Sequence, residues 1–174
     1  MKQIIYKASW QRILRKSIFP LLPFICQIVF NVWFFSEEKL EWSEIFFINT
    51  LFGFLITFPS LLIFLNYLIV ARYTSITLKY NTITFQNKET VIELNNPEID
   101  KIEIHYVKAF SEAPCSFFEF YVLYQGEKRI AFNNFTIDIS ELWYNTLARR
   151  INTKNIEHKY SWYPWMKKNL TNNE

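Results

Sequence analysis

The sequence predicts a membrane helical hairpin followed by a small soluble domain of the α+β or all-β class. Three observations carry that expectation. Two stretches, Ser17–Ser36 and Ile45–Ala71, contain no Asp, Glu, Lys or Arg. Beyond Ala71 continuous apolar sequence gives way to alternation of apolar and polar residues, and near the end Glu141–Ile151 returns to helical spacing.

A helix rises about 1.5 Å per residue and a bilayer's hydrocarbon core is about 30 Å thick, so about 20 apolar residues suffice to cross it. Both charge-free runs reach that length. Their flanks suggest an orientation, because Lys and Arg near spanning helices are retained on the cytoplasmic side. Lys2, Lys7, Arg12, Arg15 and Lys16 precede the first run without an acid, Glu37, Glu38, Glu41 and Glu44 stand between the runs against a lone Lys39, and Arg72 follows the second. The expectation is a protein integral to the cytoplasmic (inner) membrane with both termini cytoplasmic. A cleaved signal peptide competes for the first run. It fits poorly, since the run is long, rich in Phe and Trp, and ends in Val32-Trp33-Phe34-Phe35-Ser36 with no small-x-small site.

Within the hairpin, Pro20 and Pro23 are expected in the first turns of one helix, and Pro59 in the middle of the other, where it would kink it. Gln27 and Asn31 are four residues apart and share a face. Counted from the cytoplasmic ends, Gln27 matches Ser60 in depth and Asn31 matches Thr57, which makes these two pairs the predicted interhelical contacts. Neither run holds an ionisable residue, which argues against a proton relay or ion path.

The later segment reads as short antiparallel strands. Tyr73–Lys79 and Thr82–Gln86 form a hairpin across Tyr80-Asn81, and Glu89–Leu94 follows. Ile99–Phe110 alternates Ile102, Ile104 and Tyr106 with Lys101, Glu103 and His105. Phe117–Tyr124 and Arg129–Phe132 pair across a turn that holds Gly126. Asp138 or Ser140 then caps a helix whose Leu142, Trp143, Leu147 and Ile151 share one side. A curved antiparallel sheet or partly open barrel closed by this carboxyl-terminal helix follows, since a sheet of this size must bury its apolar face. The chain divides into a basic amino terminus (1–16), a first span (17–36), an acidic external loop (37–44), a second span (45–71), a soluble domain (72–152) and an aromatic, basic tail (153–174).

In the order of its elements, in the Tyr73-Thr-Ser-Ile-Thr-Leu-Lys-Tyr-Asn-Thr-Ile-Thr-Phe hairpin and in the closing Ile139-Ser-Glu-Leu-Trp-Tyr helix, the chain resembles bacterial membrane proteins that carry two spanning helices before a cytoplasmic pleckstrin-homology-like (PH-like) domain. The resemblance implies a PH-like fold and a binding or assembly role, and it transfers no site residues. A basic phosphoinositide pocket is not expected, because the first hairpin offers Lys79 and Lys88 without an Arg cluster.

Catalytic chemistry finds little support. His105 and His158 have no second His or paired Cys at ligand spacing, so no metal is expected. Glu98, Asp100 and Glu103 read as strand charges that discourage edge pairing rather than as a carboxylate pair. With two Gly in the chain, Gly-dependent nucleotide motifs are excluded, and no cofactor or small-molecule substrate is expected. Acidic and basic residues nearly balance after Ala71, which argues against nucleic acid. Cys26 and Cys115 fall in different segments and are not expected to bridge. In the tail, Tyr160, Trp162, Tyr163 and Trp165 stand beside Lys167 and Lys168, a combination suited to a bilayer interface, with packing against the domain or a partner as the rival. The function expected is therefore a non-enzymatic membrane-anchored scaffold that binds a protein partner, the lipid bilayer or further copies of itself. The alternatives are an oligomeric transport accessory subunit and an immunity protein against a toxin.

Overall fold

The computed structural model describes residues 3–37, 42–52, 58–79, 81–88, 90–95, 98–107, 118–144, 155–161 and 164–167. The chain opens with a short strand, β1 (Ile4–Lys7), and then turns into three helices, α1 (Trp10–Glu37), α2 (Trp42–Phe52) and α3 (Phe58–Tyr73). Six strands and a short helix follow: β2 (Ser75–Leu78), β3 (Thr82–Gln86), β4 (Val91–Asn95), β5 (Lys101–Val107), β6 (Phe120–Gln125), β7 (Lys128–Asn133) and α4 (Ile139–Leu142). The last strand is β8 (Ile156–Ser161).

The strands build two four-stranded sheets, ordered β1-β2-β3-β4 and β7-β6-β5-β8. All neighbours are antiparallel except β5 and β8. Alternation decides what lies between them. Ile76, Leu78, Ile83 and Phe85 of the first sheet meet Ile102, Ile104, Tyr121 and Phe132 of the second in one buried cluster, so the sheets form a sandwich. Leu142 of α4 joins that core. Asp138 occupies the helix's N-cap position but makes no capping bond; its carboxylate instead pairs with Lys16 at 2.7 Å.

The amino terminus, grouped with a basic flank by sequence, supplies β1, whose Lys7 lies opposite Ser75 of β2. The three helices are thus an insertion between adjacent strands. The start of α1 and the inner side of α3 cover the outer face of the second sheet. Ile63, Tyr67 and Ala71, spaced four apart on α3, are buried with Phe120, Val122 and Ala131, and the Tyr67 ring meets Phe118 edge-on at 5.4 Å. Tyr67 is anchored at both ends, because its hydroxyl donates to the Pro164 carbonyl at 3.0 Å and its own carbonyl accepts from Asn133 Nδ2 at 2.9 Å.

These contacts overturn the spanning hairpin. Among the described residues no helix is long and apolar enough to cross a membrane. In the second run, α2 has 11 residues and α3 has 16, about 16 and 24 Å of helix against the roughly 30 Å required. One side of α3, within the run expected to span, packs on a sheet instead of lipid. In α1 the first two turns carry Arg12, Arg15 and Lys16, and Arg12 grips Glu141 through both carboxylate oxygens, at 2.8 and 3.0 Å, and the Thr136 carbonyl. Arg12, Arg15 and Lys16, read as part of a topology signal, are therefore domain contacts, and the inner-membrane placement with cytoplasmic termini falls with the spans that supported it. The prolines shift roles as well: Pro59 sits in the first turn of α3, where no amide donor is needed, whereas Pro20 and Pro23 lie inside α1. A single curved sheet or partly open barrel is likewise replaced by two stacked sheets.

Candidate functional site: a basic, aromatic cleft at the β1–β2 mouth

A concavity of about 790 Å³ opens where the helical insertion leaves and rejoins the first sheet. Its walls come from four places in the sequence. The end of β1 supplies Lys7, the start of α1 supplies Trp10, the end of α3 supplies Arg72 and Tyr73, and the β3–β4 turn supplies Lys88. Strand register sets its floor, since Lys7 lies opposite Ser75 and Ser75 opposite Gln86 across three adjacent strands.

Local chemistry fixes each wall. α3 ends at Tyr73, and the hydroxyl of the next residue, Thr74, returns to the Val70 carbonyl at 2.8 Å and satisfies one of the carbonyls that a helix terminus leaves open. That stop places Arg72 and Tyr73 at the rim. In the β3–β4 turn, Asn87 Oδ1 accepts from the Thr90 amide at 2.8 Å and from its hydroxyl at 3.0 Å, an arrangement that fixes a turn locally. Lys88 is thereby held over the Tyr73 ring, with Nζ 3.9 Å from its centroid, while the Arg72 guanidinium lies 5.6 Å from the same ring. Trp10 is 70 % exposed beside them. Three cations and two aromatic rings converge on a cleft that has no acidic side chain among its described lining residues, a composition that attracts anions.

A second polar cluster lies on the outer face of β5 and β8. Glu103 accepts from Lys159 at 2.5 Å, from Lys101 at 2.9 Å and from His105 at 3.2 Å. Burial opposes its charge, but hydrogen bonds from Lys101, Lys159, His105 and Tyr124 outweigh it and hold the carboxyl at about 2. Burial lowers His105 against the opposing pull of Glu103; its ring stacks on Phe120 at 4.1 Å. A carboxylate this fully committed is a poor proton acceptor for catalysis. Its work is structural: β8 is a mostly exposed edge strand joined to β5 by these pairs and by stacking of Tyr106 on Tyr160.

The residues singled out by sequence are scattered. Gln27 Nε2 donates to Asn49 Oδ1 at 3.1 Å, joining α1 to α2. Asn31 is half-buried in α1, Ser60 lies in α3, and Thr57 falls outside the described residues. In the tail Tyr160 belongs to β8, and Trp165 and Lys167 are exposed, whereas Trp162, Tyr163 and Lys168 lie outside the described residues. Between them, Pro164 and Met166 are buried, and Asn66 clasps the Met166 backbone through two bonds, at 3.1 and 3.2 Å. Glu98 and Asp100 do not form a carboxylate pair, since Asp100 accepts from the Gly126 amide at 2.6 Å and Glu98 from Gln125, bracing the β6–β7 turn. Among the described residues no cluster of His, Cys, Asp and Glu could hold a metal ion.

Sequence reading weighed Lys88 with Lys79 and expected no basic pocket, and it took Lys7 and Arg72 as flanking charges; the three were not joined because they are far apart in the chain. The one signal available was positional, as each sits at or beside the end of an element.

Two stacked sheets, a capping helix and a cleft at the mouth of the first two strands define a β-sandwich binding module. PH domain is the family that matches, over residues 5–143, and the chain belongs to it. That match includes β1 and the whole helical insertion. No curated protein and no solved structure matches the chain. Members of this family are typically non-catalytic modules that bind lipids or proteins.

Proposed function

We propose that this PH domain is a binding module whose β1–β2 cleft holds an anionic phosphate group, carried either by a lipid headgroup at a bilayer surface or by a free phosphorylated molecule. The observation that carries the reading is the convergence of Lys7, Arg72 and Lys88 on one concavity whose described walls bring no acid. Tyr73 supports it, because its ring face holds Lys88 and Arg72 in place at a modest gain for each contact. Point charges suit phosphate, and a planar guanidinium adds a bidentate contact.

The test is vesicle sedimentation of the full chain, using phosphatidylcholine vesicles with and without phosphatidylglycerol, beside titration with a soluble inositol phosphate. Arg72→Glu combined with Lys88→Glu reverses two exposed charges at the rim. Binding is expected to fall by more than about tenfold, since each basic residue near an anionic surface contributes about 1 kcal/mol. Retention by anionic vesicles assigns the phosphate to lipid, and binding of inositol phosphate alone assigns it to a free ligand. Undiminished binding by the double variant removes the cleft from the account.

A further inference from the structure

The outer face of α1 is inverted for a helix facing water. Leu14, Ile18, Leu22, Ile25, Val29 and Val32 are each between 48 % and 65 % exposed, whereas Ile13 and Ser17 are buried and Gln27 bonds to α2 on the inner side. From Ile18 to Val32 the spacing runs four, three, four, three. That is the 3.5-residue repeat of a coiled-coil seam, in which the side chains of one helix fill the gaps of another.

We infer that α1 docks against α1 of a second copy of this chain, antiparallel about a two-fold axis near Ile25. Three observations favour this occupant. A two-fold axis at Ile25 sets Ile18 of one copy beside Val32 of the other and Leu22 beside Val29, so the seam is complementary to itself. The charges agree only in this direction. α1 carries Arg12, Arg15 and Lys16 in its first two turns and ends at Glu37, with no acid in its first turn and no base in its last. That order is the reverse of what steadies an isolated helix. An antiparallel neighbour corrects it by bringing the acidic end of each copy to the basic end of the other. Arg12 and Lys16 are paired within the domain with Glu141 and Asp138, whereas Arg15, 3.9 Å from Asp138 with its side chain 71 % exposed, is placed to meet the acidic end of the second copy. The area is also sufficient. Six aliphatic side chains at this exposure offer on the order of 600 Å² per copy, so the pair removes about 1,200 Å², where stable interfaces begin.

The full chain is examined by light scattering coupled to gel filtration over a range of concentrations, alone and with phosphatidylcholine–phosphatidylglycerol vesicles. Val29→Lys and Ile25→Lys place a charge in the seam at positions already exposed in the single copy. A twice-chain mass is expected for the wild type, and each variant should weaken the dimer by about 100-fold or more. Direction is read by cross-linking in a Cys26→Ser, Cys115→Ser background. Ile18→Cys copies mixed with Val32→Cys copies should join through a short bismaleimide, whereas Ile18→Cys alone should not. A monomer at every concentration, a dimer indifferent to both lysines, self-linking by Ile18→Cys, or vesicle binding without a dimer mass would each overturn the assignment.

Discussion

Replacing Glu103 by Gln tests whether the ion-pair cluster on β5 secures the carboxyl-terminal strand. The wild-type carboxyl is lowered from 4.5 to about 2, which corresponds to about 3 kcal/mol of stabilisation. Its partners Lys101 and Lys159 are 35 % and 45 % exposed, and solvent screening at those ends trims the expectation to about 2 kcal/mol. The sign follows from the direction of the shift. A carboxyl that holds its proton less tightly when folded stabilises the fold above the unfolded value of 4.5, and the gain is lost as pH falls towards 2. Urea unfolding of wild type and Glu103→Gln at several pH values should therefore show a gap of about 2 kcal/mol at pH 7 that closes below pH 4.5. In a thermal scan the gap at pH 7 appears as a loss of about 4–8 °C. Burial also lowers His105, so its protonation removes further stability as pH drops below 6.5. Added salt should narrow the gap, because the lysine ends are wet. A difference that stays constant from pH 7 to pH 3 would refute the reasoning, since the cost would then come from packing of the side chain and not from its charge.

Two further substitutions probe separate joints of the fold. Tyr67→Phe removes the hydroxyl that donates to the Pro164 carbonyl and leaves a buried acceptor unpaired, at a cost of about 1–3 kcal/mol; Trp165 fluorescence should report release of the 164–167 segment before global unfolding, and an unchanged emission curve would remove Tyr67 as the latch. Gly126 turns the β6–β7 hairpin at φ +55° with open space where a side chain would go, so Gly126→Ala should cost only the backbone strain of about 1 kcal/mol in chemical denaturation.

Strands β2 to β5 were legible because each alternates, and β6 and β7 because they flank a short turn; each pairs with a neighbour close in sequence, as Ile76 does with Phe85 and Ile104 with Tyr121. β1 and β8 were not. Ile4-Ile5-Tyr6-Lys7 is too short to show a period, and its partner lies some seventy residues on; Ile156–Ser161 is mostly exposed and polar, and its register depends on a parallel pairing with β5. The helices misled for a physical reason. Ile63, Tyr67 and Ala71 are apolar because they cover Phe120 and Val122, and average hydropathy does not distinguish a sheet from lipid as the surface such residues meet. The four-residue spacing of that triad was the readable clue, together with the amide of Asn66 and the hydroxyl of Tyr67, which hold the tail. The cleft needed the topology first, since nothing local connects Lys7 to Arg72.

That topology links the cleft to the helices. Because β1 pairs with β2, the insertion leaves the sheet at Lys7 and returns at Ser75, directly opposite. The two cations nearest those points, Lys7 and Arg72, therefore stand at the entrance and exit of the helical layer, and the anion proposed for the cleft would bridge the ends of the insertion. β1 is also an edge strand of four residues with exposed Ile4 and Ile5, so ladder bonds to a single neighbour hold it. Losing it would open one wall of the cleft and free one end of α1, leaving Arg12–Glu141 and Lys16–Asp138 to hold the helix to the sandwich. The strand that sequence reading passed over is thus the element on which both the cleft and the placement of the inserted helices depend.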